Sequence, residues 1–192
     1  MPSTTDAPAT RAEPAALSAL RRDTHLAWLA AFAVALHMLE AALPPIVPGI
    51  KPGLANVITV AALCLWGWRT AAMVTLLRVL VAAIFLGTLL SPAFWLSLGG
   101  ALAALTALGV GSALPGRGLG PVGYSVVAAL AHIGGQLLVA YALFVQHPGL
   151  FVLAPVLALG AAATGTLNGL AAYLLVREWH TEAPDGHVPA GD

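Results

Sequence analysis

Between Thr24 and Val176 the chain carries only five charged side chains: Glu40, Lys51, Arg69, Arg78 and Arg117. The rest of that stretch is a succession of apolar runs interrupted by proline and glycine. Soluble domains spend about a quarter of their residues on charge; this chain of 192 residues spends 8%, with 59% apolar, so its solvent is mostly lipid. Spanning a hydrocarbon core of ~30 Å takes ~20 helical residues, fewer where loops or neighbours help. Six runs meet or approach that length, at 25–43, 54–68, 70–90, 94–114, 121–145 and 151–176. The expected fold is an all-α integral membrane protein of six transmembrane helices. Its membrane domain covers residues 25–178, between tails 1–24 and 179–192 that read as disordered from their composition. The first twenty residues do not read as a secretory signal.

The connections follow from local chemistry. Trp68-Arg69-Thr70 joins the second and third runs as a tight helical hairpin, and the short second run should sit shallow or tilted. Leu90-Ser91-Pro92 breaks the chain with no charge at all, Gly116-Arg117-Gly118 sits between Pro115 and Pro121, and Gln146-His147-Pro148-Gly149 makes the fifth connection. Positive charge then orients the bundle. With a cytoplasmic N-terminus, Arg11, Arg21, Arg22, Arg69, Arg117 and Arg177 all fall inside, and Lys51 alone falls outside. Both termini are expected in the cytoplasm. Net charge is zero and no basic run exists, so a nucleic-acid partner has no electrostatic footing. The single cysteine, Cys64, excludes a disulfide framework, and its apolar surroundings suggest a reduced thiol packed in the core.

The polar groups sort around one stretch, Leu39 to Val60, LEAALPPIVPGIKPGLANVITV. Pro44, Pro45, Pro48 and Pro52 lack an N–H and fix φ, so the chain cannot be helical through them. It leaves the first helix after Glu40 and re-enters at about Leu54, as a lid over a cavity faced by Glu40, Lys51 and Asn56. Arg78 lies about 13 Å up the third helix from its inner end, near the midplane, and His132 about 16 Å up the fifth. Gln136 and Glu40 lie about 22 Å up theirs. Asn168 should sit nearer the inner side, apart from this column. A midplane arginine costs at least ~2.5–3.5 kcal/mol unless it finds a partner or water. Two readings are open: a structural Glu40–Arg78 pair, or a hydrated cavity in which Arg78 meets an anionic ligand. His37 and Glu40 share a helix face, as do His132 and Gln136. Trp95 is placed either to stack on a ligand or to sit at the interface as an ordinary tryptophan.

Several chemistries have no footing. There is no pair of aspartate-rich motifs to hold magnesium and a diphosphate, no Walker loop, no Cys/His cluster and no nucleophile elbow. Gly99-Gly100 and Gly134-Gly135 fall inside helices and read as packing features. Catalysis, a cofactor and a metal are not expected. Ala27, Ala31 and Ala35, like Gly165 and Gly169, are small residues at four-residue spacing that let helices approach closely. Either set serves packing within the bundle, or, for the alanines, a docking face for a membrane partner.

The segments LEAALPPIVPGIKPGLANVITV, LLRVLVAAIFLGTLLSPAFWLSLGG and AHIGGQLLVA resemble the Gx transporter family, also labelled heptaprenyl diphosphate synthase component I. The resemblance covers roughly residues 28–176. That family is similar to the substrate-binding S components of energy-coupling-factor (ECF) transporters, six-helix membrane proteins whose outward site is capped by the loop after helix 1. The resemblance implies a multi-pass protein of a prokaryotic cell membrane, with residues 44–53 as the lid. It also implies that Ala27, Ala31 and Ala35 dock a transmembrane T subunit that works with paired ATPases. The expected function is capture or transport of a small anionic or amphipathic vitamin- or precursor-like molecule, with Glu40, Lys51, Asn56, Arg78, Trp95, His132 and Gln136 as substrate-binding residues. The alternative is a non-catalytic membrane accessory of polyprenyl diphosphate or quinone biosynthesis, or of an electron-transfer assembly.

Overall fold

The computed structural model describes residues 24, 26–40, 53–113 and 119–182, and no strand occurs among them. Six helices follow one another: α1 (Leu26–Glu40), then α2 (Leu54–Trp66), α3 (Trp68–Phe85), α4 (Pro92–Ala113), α5 (Pro121–Ala140) and α6 (Ala154–Glu182). A π-turn, Tyr141–Val145, extends α5, and a 3₁₀ segment, Pro148–Leu153, leads into α6. With those extensions, α3, α4, α5 and α6 are long and apolar enough to cross a membrane, whereas α1 and α2 are shorter. The protein is an all-α, multi-pass membrane protein.

The junctions are set by residues that tolerate unusual backbone. Only Gly67 separates α2 from α3; at φ 85° it gives its N–H to the Leu63 carbonyl and takes the N–H of Ala71. The third helix ends at Phe85, short of the expected Leu90, because Gly87 and Leu90 both adopt a φ of 64° and turn the chain. Ser91 then caps α4, its Oγ accepting from the Phe94 N–H at 3.3 Å. Pro121 opens α5, where its missing N–H is not needed.

Small residues set the helix spacing. Gly99 and Gly135 face each other across α4 and α5; a Cβ on Gly135 would lie 2.6 Å from both the Gly99 carbonyl oxygen and the Ala103 Cβ. Gly165 and Gly169 press α6 on α5, and a Cβ on Gly169 would lie 2.5 Å from the Val122 Cα. In lipid, association depends on such close contact, since tails are as apolar as leucine. Between α3 and α4, Trp68 lays its indole on Gly109 and donates to the Leu105 carbonyl at 3.0 Å. Thr59 and Thr75, both buried, share a 3.0 Å hydroxyl contact that links α2 to α3. Cys64 is free, but it is exposed on α2. The core-packing expectation is therefore corrected, because the buried residues around it, such as Ala61, Ala62 and Leu63, take up the inward-facing part of the helix.

One placement decides the rest. Asn168 lies in the middle of the 29-residue α6, and its Nδ2 donates to the Gly53 carbonyl at 3.2 Å. At the other end of α2, Trp66 meets Trp179 of α6 edge-on, with ring centroids 5.2 Å apart. At ~1.5 Å per residue, α2 runs beside only the second half of α6 and begins about 20 Å along it from Ala154. The second helix starts inside the bundle.

Candidate functional site

The start of α2 is where the buried polar groups gather. Gly53 enters it in a left-handed conformation, φ 71°, with no side-chain cap of its own. The first N–H groups of a helix have no partner within it and carry the positive end of its dipole. Glu40, the last residue of α1, supplies an acceptor: its Oε1 takes the Leu54 N–H. Asn168 holds the preceding carbonyl. The end of α1 and the start of α2 are therefore clasped together, by a side chain that is 5% exposed.

Arg78 lies near this clasp. It sits at the middle of α3 and is 8% exposed, the Glu40 carboxylate is close enough to act on its charge, and its buried Nε has no hydrogen-bond partner among the described residues. The Glu40 carboxylate is engaged with the helix terminus and forms no direct ion pair with Arg78. The closed structural pair, one of the two readings of the sequence, is not what the coordinates contain.

His132 on α5 adds the third side of the cluster. It interacts electrostatically with Arg78 and with His37 of α1. Its ring and the Gln136 side chain both lie against Gly100 of α4: a Cβ there would be 2.7 Å from His132 Nε2 and 2.9 Å from Gln136 Cγ. The glycine is what lets two polar side chains of α5 fit between the helices. Asn56 is half-buried in the first turn of α2, its N–H bonded to the Gly53 carbonyl at 2.8 Å.

Other expected site residues fall elsewhere or beyond view. Trp95 is 40% exposed and packs edge-on against Phe94, with centroids 5.5 Å apart. Lys51 and the lid, apart from Gly53, lie outside the described residues. Ala27, Ala31 and Ala35 are exposed, whereas Ala30 and Ala33 are the alanines that α1 buries. Ala31 and Ala35 line a shallow groove of about 390 Å³ with Leu77, Val81 and Phe85 of α3. Asn168 corrects the sequence reading, which set it apart and nearer the inner side. The signal missed was the length of the sixth helix: it runs on through the Arg177-Glu178 charges to Glu182, and that brings Asn168 level with Glu40. Gly100 was legible only as a packing residue, and its role beneath His132 needs the fold.

Residues 29–175 match the family described as heptaprenyl diphosphate synthase component I. The chain belongs to that family. The match begins inside α1 and ends inside α6, so the component I region takes in every helix and the whole cluster of Glu40, Asn56, Arg78, His132, Gln136 and Asn168. No curated protein and no solved structure matches the chain.

What this component I site can do follows from its charges. An isolated guanidinium in the bilayer is expensive, and here it is kept beside a carboxylate that is already engaged. The positive end of the α2 dipole is already met by Glu40, whose Oε1 takes the Leu54 N–H. The described cluster is a buried polar group within an apolar bundle, with Arg78 and Glu40 as its charged members and Asn56, His132, Gln136 and Asn168 around them.

Proposed function

We propose that this component I protein is the substrate-capture subunit of a membrane transporter, and that Arg78 anchors the anionic group of a small amphipathic molecule. The observation that carries this reading is the buried Nε of Arg78, which has no hydrogen-bond partner among the described residues while the nearby carboxylate of Glu40 closes a helix terminus. Asn56, His132 and Gln136 add hydrogen bonds, and residues 44–53, with Lys51, gate access from outside. Both termini are cytoplasmic, residues 25–178 form the membrane domain, and the protein sits in the cell membrane of a prokaryote. It is not itself an enzyme: the family's name makes it one component among others, and the chain carries no paired aspartate-rich motifs for diphosphate chemistry. Its energy comes from partners of the ECF type, a T subunit and ATPases, with the exposed face of Ala27, Ala31 and Ala35 as the docking surface.

Native mass spectrometry of the gently purified protein tests the reading. A co-purified small molecule that is lost in a folded Arg78→Ala variant is the expected result. A ligand-free protein whose Arg78→Ala variant fails only to assemble would replace capture with the accessory role.

A further inference from the structure

Glu40, Leu54 and Arg78 meet at one level of three helices. One turn away, Ala33 and Leu36 of α1, Ile58 of α2 and Val74 of α3 pack into a single cluster. Glu40 lies four residues on from Leu36, Leu54 four back from Ile58, and Arg78 four on from Val74. Each is ~6 Å further along its helix on the same face. The Thr59–Thr75 contact fixes the register of α2 on α3 independently. Three residues from it, back along α2 and on along α3, Asn56 stands level with Arg78.

Two donors compete for one acceptor at this junction. The Leu54 N–H is held by Glu40 Oε1, while the buried Arg78 Nε–H has no partner among the described residues. Glu40 is the only carboxylate between Asp23 and Glu178. It lies close enough to act on the Arg78 charge, yet makes no ion pair with it. Moving the carboxylate from Leu54 to Arg78 would satisfy the guanidinium and strand the amide. Both bonds are charge-assisted and each arrangement leaves one donor unmet, so the two are closely balanced.

We infer that Glu40 is a two-position latch: its carboxylate either ties the end of α1 to the start of α2, as here, or swings to Arg78 and ties α1 to α3. Asn168 holds Gly53 separately, so the swap frees the start of α2 from α1 without releasing it from α6. The latch goes beyond the capture reading and needs no ligand; whether a small molecule co-purifies is decided apart from it.

The test uses the full chain in lipid nanodiscs with nothing added, and reads the two donors in turn. In Arg78→Met, Glu40 has lost its second partner. The Leu54 amide, measured against the Val60 amide of the same helix, should then exchange with solvent at least about threefold more slowly than in the wild type. In Glu40→Gln the side-chain oxygen can still accept from Leu54, but the charge that draws it to Arg78 is gone. The Arg78 Nε–H, followed by NMR of isotope-labelled arginine side chains, should exchange at least about threefold faster. An unchanged or faster Leu54 rate in folded Arg78→Met, or an Nε–H rate that Glu40→Gln leaves alone, overturns the latch and makes Glu40 a fixed cap. If Arg78→Met does not fold, the Nε–H rate in Glu40→Gln decides.

Discussion

Replacing Gly169 by alanine is a direct test of how closely α5 and α6 are set. The new Cβ would lie 2.5 Å from the Val122 Cα and 3.0 Å from the Ser125 Cβ. Carbon atoms rest at about 3.5–4.0 Å, so with rigid helices the pair must part by about 1 Å. The obstacle is main chain and cannot rotate away, which puts the cost near the top of the ~1–3 kcal/mol typical of overpacking. Alanine returns up to ~1 kcal/mol of helix propensity. The net expectation is a loss of about 2 kcal/mol. Gly134→Ala is the matched control, because its Cβ would meet nothing within 4 Å and only the propensity gain remains. The two variants should therefore differ by about 3 kcal/mol, with opposite signs relative to the wild type. Reversible unfolding in mixed micelles, followed by helical circular dichroism, measures both. A Gly169→Ala protein as stable as the wild type, or a Gly134→Ala protein that falls equally far, would refute close helix contact at Gly169.

Three further outcomes are expected. Thr59→Val or Thr75→Val alone should cost about 1 kcal/mol by stranding the other hydroxyl, while the double variant should be close to neutral; additive losses in a double-mutant cycle would show that the 3.0 Å contact contributes nothing. Asn168→Ala should lower stability by about 0.5–1.5 kcal/mol through loss of the Gly53 bond, and an unchanged unfolding midpoint would count against the anchoring of α2. In a Cys64→Ser background, an impermeant maleimide should label Gln146→Cys from outside intact cells and Gly120→Cys only after permeabilisation; the reverse pattern would invert the proposed orientation.

Most of the layout was legible from the sequence because membrane helices are written in long, local signals. All six runs became helices, and the Ser91-Pro92 break and the Pro121 start fell where the breakers stand, whereas the α2–α3 junction falls at Gly67 and Trp68-Arg69-Thr70, expected as the hairpin, opens α3. Three things were not legible. The early end of α3 depends on Leu90 taking a positive φ, for which an ordinary leucine gives no warning. The exposure of Cys64 depends on which side of α2 faces its neighbours, and an almost wholly apolar helix carries little such information. The level of Asn168 was misjudged because charge at Arg177 and Glu178 looks like a membrane boundary, while the helix continues past it.

The deep start of α2 also makes the bundle uneven. From Asn168 to Trp179, α6 has α2 beside it as well as α5; from Ala154 to about Leu167, no part of α2 lies alongside it. Among the described residues this leaves a step along α6, with the Glu40–Leu54 clasp as its corner. The second helix is fastened at both ends, by Asn168 at its start and Trp179 at its finish, so a shift of one turn along α6 would break both contacts at once.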